Sequence, residues 1–374
     1  MDLCEGTLLL VFSLLLLIQR PGLAGAATLL VATEDSSQKA KAEADFLGDG
    51  LGDQEEINAA VQALPEPGGT VLLAEGTYDI RKAGDSLGGV IINRSHVTLR
   101  GQNSATKLIL APEQNTNVIR IIGSGVGHVA ICDLWVDQNR DVNLYDGAEF
   151  VNISHGRFEY CGIKAFATKP GEPRVEPCHH VTIDNCTVLN ARRLGIMLDG
   201  PYMRVLNNHL GNAMSDSVEI LTGPGLITGN VVEITGRTHV AVGSDRGNAI
   251  LMTHNIVHVK AGGDLDIAFR SWADSEQHVI ANNIVTIDEG GRLNLAMDIR
   301  GFETAVSGNV VRGNDPENRL PLSLTGAGMM VSANHFRNVE LVVNDQTGTE
   351  RPIRIENNGM ENSVITHRKN NLDT

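Results

Sequence analysis

Charged side chains stand among apolar ones in several short segments of the second half of the chain, where they could perform acid–base chemistry on a bound substrate. The segment 265–270 shows the pattern clearly. Because the side chains of a β-strand alternate between its two faces, Ile267 and Phe269 are expected inside the protein. Asp266 and Arg270 are then expected together on the outer face.

A second segment, residues 295–300, has the same pattern and places Asp298 and Arg300 outside. Arg270 and Arg300 belong to consecutive repeats, so we expect them to line one groove. Paired guanidinium groups bind a carboxylate bidentately and favour loss of the neighbouring carbon-bound proton, as lyase and epimerase chemistry on a uronate polymer requires. The predicted catalytic residues are Arg270, Arg300, Asp298, Asp266, Glu219 and Asp245, and the predicted substrate-binding residues are Asp199, His239, Arg246, Trp272 and Tyr202.

These charges allow three interpretations. In a lyase or C5-epimerase, a neighbouring carboxylate, His239 or Tyr202 would serve as the acid or base. In a glycoside hydrolase or fructotransferase, Glu219 would pair with Asp199 or Asp245. Alternating Asp and Arg on an exposed strand also form ion pairs that only keep a protein soluble, as in a non-catalytic glycan-binding or structural surface protein.

The composition limits the class of partner. The chain has 374 residues, 40 of them Gly, with only 8 Phe, 4 Tyr and 2 Trp, which is typical of a fold with many turns and an aliphatic core. Its formal net charge of −15 argues against nucleic acid, because phosphate-backbone binding requires a basic surface. The expected partner is a polysaccharide or glycan, and the expected state is a monomer or homotrimer.

Metal ligands are scarce in the sequence. It contains no Cys-x-x-Cys motif and no dense Asp/Glu loop, so no resident metal is predicted, and at most a weakly coordinated Ca²⁺ shared with the substrate. His179 and His180 are expected to be turn residues at the surface.

A short phrase, apolar-x-apolar-x-Asn, recurs through the chain at intervals of 22 to 28 residues. A period of this size, built from short β-type segments, corresponds to one coil of a solenoid. Asn tolerates the left-handed backbone of a tight turn, and its amide can hydrogen-bond along a stack. The phrase therefore predicts scaffold positions at Asn185, Asn208, Asn230, Asn255, Asn283, Asn309 and Asn334.

The predicted fold class is all-β, a single right-handed parallel β-helix of about eleven coils with an N-terminal capping α-helix. The helix is expected from Asp53 to Leu64, with Asp53 and Glu56 as a capping box and Ile57 and Val61 on its buried face. The cap and first strand span about residues 44–78. Residues 354–374 are expected to form an irregular C-terminal tail.

The N-terminus has the features of a secretory signal. An apolar run, Leu8–Ile18, precedes an Ala-x-Ala pattern ending at Ala26. We therefore expect residues 1–26 to be removed, residues 27–374 to form the single domain, and the protein to be extracellular. Asp2 and Glu5 replace the usual basic residues, so an uncleaved anchor at the cell surface is the alternative. The cysteines left after cleavage are expected either to pair or to lie buried as free thiols.

Residues 44–78 resemble the N-terminal segment of pectate-lyase-superfamily proteins, D-G-x-x-D, a helix, then G-G-T-V-x-L-x-x-G-x-Y. Residues 97–101 and 131–137 resemble the next two coils, and the resemblance extends over nearly the whole mature chain. It implies the parallel β-helix fold. The superfamily includes polysaccharide lyases, epimerases, glycosidases, fructotransferases and non-catalytic adhesins, and no catalytic signature of any branch matches this sequence. The resemblance therefore assigns no site residue.

Overall fold

The computed structural model describes residues 27–143, 159–169, 171–272, 275–345 and 350–368. The predicted signal, residues 1–26, lies outside these ranges. In the described part of the chain, no helix is both long enough and apolar enough to cross a membrane.

The described residues form two helices and thirty-three strands. The helices are α1 (Gln38–Glu43) and α2 (Gln54–Ala63). The first strands are β1 (Ala27–Ala32), β2 (Phe46–Leu47), β3 (Gly69–Leu73), β4 (Gly76–Ile80), β5 (Gly88–Ile92), β6 (Val97–Leu110), β7 (Asn117–Ile121), β8 (Gly127–Asp137), β9 (Ile163–Ala165), β10 (His179–Asp184) and β11 (Thr187–Leu189). The middle strands are β12 (Ile196–Leu198), β13 (Met203–Leu206), β14 (His209–Gly211), β15 (Asp216–Ile220), β16 (Gly225–Thr228), β17 (Val231–Ile234), β18 (Arg237–Ser244), β19 (Ile250–Thr253), β20 (Ile256–Val259), β21 (Asp264–Ser271) and β22 (Val279–Ala281). The last strands are β23 (Ile284–Ile287), β24 (Arg292–Phe302), β25 (Ala305–Ser307), β26 (Val310–Arg312), β27 (Leu320–Ala327), β28 (Met330–Ser332), β29 (His335–Arg337), β30 (Val339–Asp345), β31 (Arg354–Glu356), β32 (Gly359–Glu361) and β33 (Val364–His367).

The fold is a right-handed parallel β-helix, which confirms the predicted fold class. One sheet, here called the site sheet, has eleven parallel strands in the order β5, β7, β9, β12, β15, β18, β21, β24, β27, β30 and β33. Two further parallel ladders run through β10, β13, β16 and β19 and through β11, β14, β17 and β20, and the long strands β6 and β8 pass from one ladder to the other.

The core is a set of aliphatic columns along the rod. Parallel register places equivalent side chains of successive coils on top of one another, so a buried column of apolar residues stabilises every coil that it crosses. One such column consists of Val188, Leu210, Val232, Val257, Val285, Val311 and Phe336.

Buried asparagines form a second column, here called the asparagine ladder. Each side-chain amide donates to the side-chain oxygen of the next asparagine at 2.9 to 3.1 Å. The ladder consists of Asn208, Asn230, Asn255, Asn283, Asn309, Asn334 and Asn358.

The structure corrects the predicted register of this ladder at its start. Cys186, and not Asn185, occupies the ladder position, since the Cys186 N–H donates to Asn208 Oδ1 at 2.9 Å. Asn185 has the predicted left-handed backbone, but in the later coils that backbone lies one residue before the predicted asparagine, at Asn207, Gly229 and their equivalents. The buried amide and the left-handed turn are thus provided by two neighbouring residues.

Helix α2 covers the N-terminal end of the rod, as predicted, and packs against β1, β2 and β5. Ile57 and Val61 are buried in the core. The predicted capping box does not form, because the Asp53 carboxylate instead accepts from Thr33 Oγ1 and from the N–H groups of Gly50 and Asp79. Asp53 thereby ties the helix to the first coil.

The C-terminal segment differs from the expected irregular tail. Residues 354–367 contain the three strands β31, β32 and β33, which pair with the preceding coil. They form the last coil of the rod. The four described cysteines, Cys132, Cys161, Cys178 and Cys186, are free thiols.

Candidate active site

A row of outward positions crosses the site sheet and carries most of its buried charge. In the register of β15, β18, β21 and β24, Glu219 lies beside Gly243, Gly243 beside Arg270, and Arg270 beside Asp298. Successive strands of a sheet are about 4.8 Å apart, so these side chains lie close enough to interact directly. The register therefore places Asp298, and not Arg300, directly beside Arg270.

Arg270 lies at the centre of a cluster of three carboxylates. Its Nη2 donates to Asp216 at 2.8 Å, to Glu219 at 3.0 Å and to Asp245 at 2.6 Å. The arginine is 8% exposed, whereas the Asp245 side chain is 38% exposed. Asp245 is thus the carboxylate of this cluster that a ligand in solvent can contact.

Gly243 leaves open space beside this cluster. A Cβ at this position would lie 3.5 Å from Asp216 Oδ2 and 3.7 Å from Arg270 Nη2. The missing side chain leaves a gap in the row, and the guanidinium of Arg270 reaches across it to the carboxylates two strands away.

Glu219 has an unusual protonation equilibrium. Burial and the negative charges of Asp216 and Asp245 raise the pKa of Glu219 well above its ordinary value of 4.5, and Arg270 opposes this only in part. Glu219 therefore keeps its proton to a higher pH than an ordinary glutamic acid does.

Arg300, Asp298 and Trp272 form the neighbouring part of the site. The Arg300 guanidinium contacts Asp298 at 3.1 and 3.0 Å, and its Cζ lies 4.4 Å from the centre of the Trp272 ring. The Arg270 Cζ lies 5.7 Å from the same ring. Trp272 is 41% exposed and offers a flat apolar surface of the kind on which sugar rings stack.

This arrangement has the groups needed for general acid–base chemistry on a carbohydrate. It offers a buried carboxyl group of raised pKa at Glu219, an exposed carboxylate at Asp245, an accessible cation at Arg300 and a stacking surface at Trp272. Arg270 is already hydrogen-bonded to three carboxylates, so its Nη2 is not available to bind a substrate carboxylate.

Asp266 and His239 lie in a separate ionic cluster. Asp266 accepts from Arg237 at 2.8 Å and contacts His239 Nδ1 at 2.8 Å. These contacts lower the pKa of Asp266, although its partial burial acts in the opposite direction.

The predicted grouping of Asp266 with Arg270 is absent because the strand alternation breaks between them. Ala268 and Phe269 both belong to the core, whereas Ile267 lies outside the core cluster. The two charged residues of β21 therefore contact different groups.

Of the remaining predicted substrate-binding residues, Asp199 and Tyr202 contact groups outside the Arg270 cluster. Asp199 accepts from Thr222 Oγ1 at 3.0 Å and lines a cleft with Phe166 and Arg174. Arg246 is exposed next to Asp245. Tyr202 is exposed and stacks on His180, with ring centres 4.6 Å apart.

Sequence analysis missed Asp216, although it is a direct partner of Arg270. Asp216 lies between Ser215 and Ser217, and this polar context is typical of a turn, whereas the structure starts β15 at Asp216. Strand alternation offered no signal, because it places residues three apart, such as Asp216 and Glu219, on opposite faces.

A second buried ionic group, Glu159, Lys164 and Arg120, was also missed. Lys164 Nζ lies 2.7 Å from Glu159 Oε1, and burial lowers the pKa of Lys164. Residues paired in register extend the charged row of the site sheet from Glu219 through Met197 to Lys164 and Arg120. No repeat phrase marks these positions in the sequence.

The described carboxylate cluster does not provide an obvious calcium site. The oxygens of Asp216, Glu219 and Asp245 converge, but the Arg270 guanidinium lies among them and supplies the positive charge that a Ca²⁺ ion would otherwise bring.

No protein-family model matches the chain, and no curated protein matches its sequence. Solved structures do match. A DFA-IIIase from Arthrobacter chlorophenolicus A6 superposes with a TM-score of 0.56 at 13% identity, over 92% of this chain and 87% of its own. The same enzyme without its lid, in complex with GF2, gives a TM-score of 0.56 at 14% identity, over 94% and 91%. The Agl-KA catalytic domain gives a TM-score of 0.51 at 12% identity, over 86% and 66%.

These similarities show a shared fold. The chain has the parallel β-helix architecture of these structures, the fold that the resemblance in residues 44–78 implied. The DFA-IIIase has also been crystallised in complex with DFA-III.

Proposed function

We propose that this protein is a carbohydrate-active enzyme that breaks or transfers a glycosidic bond. The observation that carries the proposal is the contact of Asp216, Glu219 and Asp245 with one buried arginine, together with the raised pKa of Glu219. Glycoside chemistry needs one carboxyl group that is protonated and one that is ionised.

The roles follow from accessibility. Asp245 is the exposed member of the cluster and would contact the glycosidic oxygen, whereas Glu219, whose pKa is raised, would hold a proton behind it. Trp272 would stack on a sugar ring, and Arg300 would bind a hydroxyl or carboxylate group beside it. The DFA-IIIase likeness supports a carbohydrate substrate but does not define the linkage.

The proposal is tested by mass spectrometry of products after incubation with fructan and uronate polymers in heavy water. We expect saturated or anhydro fragments, and we expect Glu219→Gln and Asp245→Asn to lower the rate by about 10²- to 10⁴-fold. Glu233→Gln is a matched control, because Glu233 pairs with Lys260 on another ladder. Full activity of both cluster variants would refute these roles.

A lyase or C5-epimerase acting on a uronate polymer is the second candidate. Arg300 supports it, because this arginine lies over Trp272 and is 38% exposed, so it can reach a substrate carboxylate. Unsaturated fragments, or deuterium uptake without chain cleavage, would establish this chemistry in the experiment above. Activity would then depend on Arg300 more than on Glu219.

We also propose that the protein is secreted. The apolar run Leu8–Ile18 and the Ala-x-Ala pattern before Ala27 support cleavage at that point. N-terminal sequencing of protein recovered from the medium is expected to begin close to Ala27. Recovery of the intact N-terminus in the membrane fraction would instead indicate an anchor.

A further inference from the structure

Four aromatic side chains stack along one corner of the rod, away from the Arg270 cluster. His96, His128, His180 and Tyr202 occupy equivalent turns of successive coils, and all four have a left-handed backbone, with φ between 51° and 61°. Their ring centres are 4.9, 4.7 and 4.6 Å apart along the stack.

His179 brings a third imidazole to the middle of this stack. It meets the rings of His128 and His180 edge-on, with centres 5.3 and 5.1 Å away. The Nδ1 atoms of His179 and His180 are 2.9 Å apart, and one nitrogen from each of the three histidines lies within 4.8 Å of the others.

We propose that His128, His179 and His180 bind one transition-metal ion of the Zn²⁺ or Cu²⁺ type. Imidazole nitrogen is a preferred ligand of these ions. Two nitrogens bound to one tetrahedral Zn²⁺ are about 3.3 Å apart, close to the separation between His179 and His180. A modest rotation of the His128 ring would complete a three-nitrogen site with a fourth position open to solvent or a ligand.

A cleft adjoins the three histidines. It has a volume of about 550 Å³, and His128 and His180 line it together with Tyr202 and Arg204. A metal here would lie at the edge of a ligand-sized groove.

The sequence did not predict this site, because adjacent histidines at a turn normally point apart. At His180 the left-handed backbone changes the direction of the side chain, so both imidazoles face His128.

Calorimetric titration of the purified protein with ZnCl₂ tests the proposal. We expect one ion per chain with a dissociation constant of about 1 µM or tighter. Titration with Co²⁺ should give the strong visible absorption of a tetrahedral site. Absence of Zn²⁺ uptake at about 100 µM would overturn the proposal.

Matched variants locate the ion. His128→Asn and His180→Asn keep a residue that tolerates the left-handed turn, and His179→Gln keeps a polar side chain at a strand end. Each should weaken Zn²⁺ binding at least about tenfold. His96→Asn is the control, since it removes a stacked ring but no ligand, and should change the affinity less than about threefold.

Circular dichroism confirms that each variant is folded before it is titrated. Binding as tight as that of the wild type in the folded His128→Asn and His180→Asn variants would place the ion elsewhere and refute the proposal.

Discussion

Arg270 shows how a single residue can organise a site. Its guanidinium holds three carboxylates within 3.0 Å, so the cluster carries more negative than positive charge in a nearly dry environment. Binding one proton reduces that repulsion, and the raised pKa of Glu219 shows that this carboxyl group favours its protonated form.

Replacing Glu219 by Gln should alter the dependence of stability on pH. A carboxyl whose pKa is raised by folding stabilises the protein below its unfolded pKa of about 4.5, and this stabilisation is lost as pH rises towards the folded pKa. Glu219→Gln lacks that proton equilibrium. Urea unfolding at several pH values should show wild type losing up to about 1.4 kcal/mol per pH unit relative to the variant. A difference that stays constant with pH would contradict the raised pKa.

Substitutions of increasing size at Gly243 test whether the gap that Arg270 crosses is needed for activity. A single Cβ makes ordinary contacts there, so Gly243→Ala should keep activity within about threefold and stabilise slightly. The two methyl groups of Gly243→Val should fill the gap, displace Arg270 and lower kcat/KM about 100-fold. Steady-state kinetics and thermal melting of both variants provide the measurement. Equal activity of the two variants would mean that the gap is unimportant.

At the scale of residues, the sequence predicted part of this site. Period-2 alternation correctly placed Asp298 and Arg300 outside, because Met297 and Ile299 belong to the core. It could not predict the break at Ala268, which depends on how the chain turns a corner of the rod. The hydrogen bond from Arg270 to Asp216 depends on which residues of neighbouring coils are paired, and no local sequence pattern determines that pairing.

The asparagine ladder is the element that keeps the coils in register. Asn255 accepts from the N–H and amide of Asn230 at 3.1 and 2.9 Å and donates to Asn283 and to the Ile227 carbonyl. Every one of these groups is buried, so each hydrogen bond lost exposes an unpaired polar atom to an apolar environment.

Asn255→Leu should therefore destabilise the protein by about 4 kcal/mol, since it leaves unpaired groups in both neighbouring coils. Asn358, at the end of the ladder, is only partly buried and has one ladder neighbour, so Asn358→Leu should cost about 1 kcal/mol. Urea unfolding of the two variants tests this difference. Equal losses of unfolding free energy in the two variants would show that an amide in the middle of the ladder contributes no more to stability than one at its end.

At the scale of elements, the sequence predicted the repeat but not the position of the left-handed residue within each coil. The recurring Asn identified the fold because one residue type repeated at one coil length. The left-handed position is filled in turn by Asn207, Gly229 and His254, so its variable identity conceals it in the sequence.

Four successive coils of the rod expose a row of apolar residues on one ladder. Ile256 and Ile284 are paired in register and are 38% and 39% exposed, with Val231 and Val310 on either side. Such a row fits lateral assembly of rods, which is the main support for a structural or adhesive role beside catalysis.

Ile256→Lys combined with Ile284→Lys should prevent self-association. Sedimentation velocity should show that the wild type assembles at concentrations of about 10 to 100 µM and that the double variant stays monomeric. Leu47→Lys is a control for added charge, because Leu47 is exposed near the N-terminus. A wild type that is monomeric throughout this range would exclude the row as an assembly surface.

The asparagine ladder would allow the rod to be lengthened or shortened by whole coils. Each amide makes the same bonds to the coil before it and the coil after it, so a whole coil of 22 to 28 residues could be duplicated or deleted between Asn230 and Asn309 without leaving an amide unpaired. Rod length is therefore modular over the central coils. The coils carrying Asp216 to Arg300 contribute the charged row of the site sheet, and any such change within them would alter the binding groove along with the length.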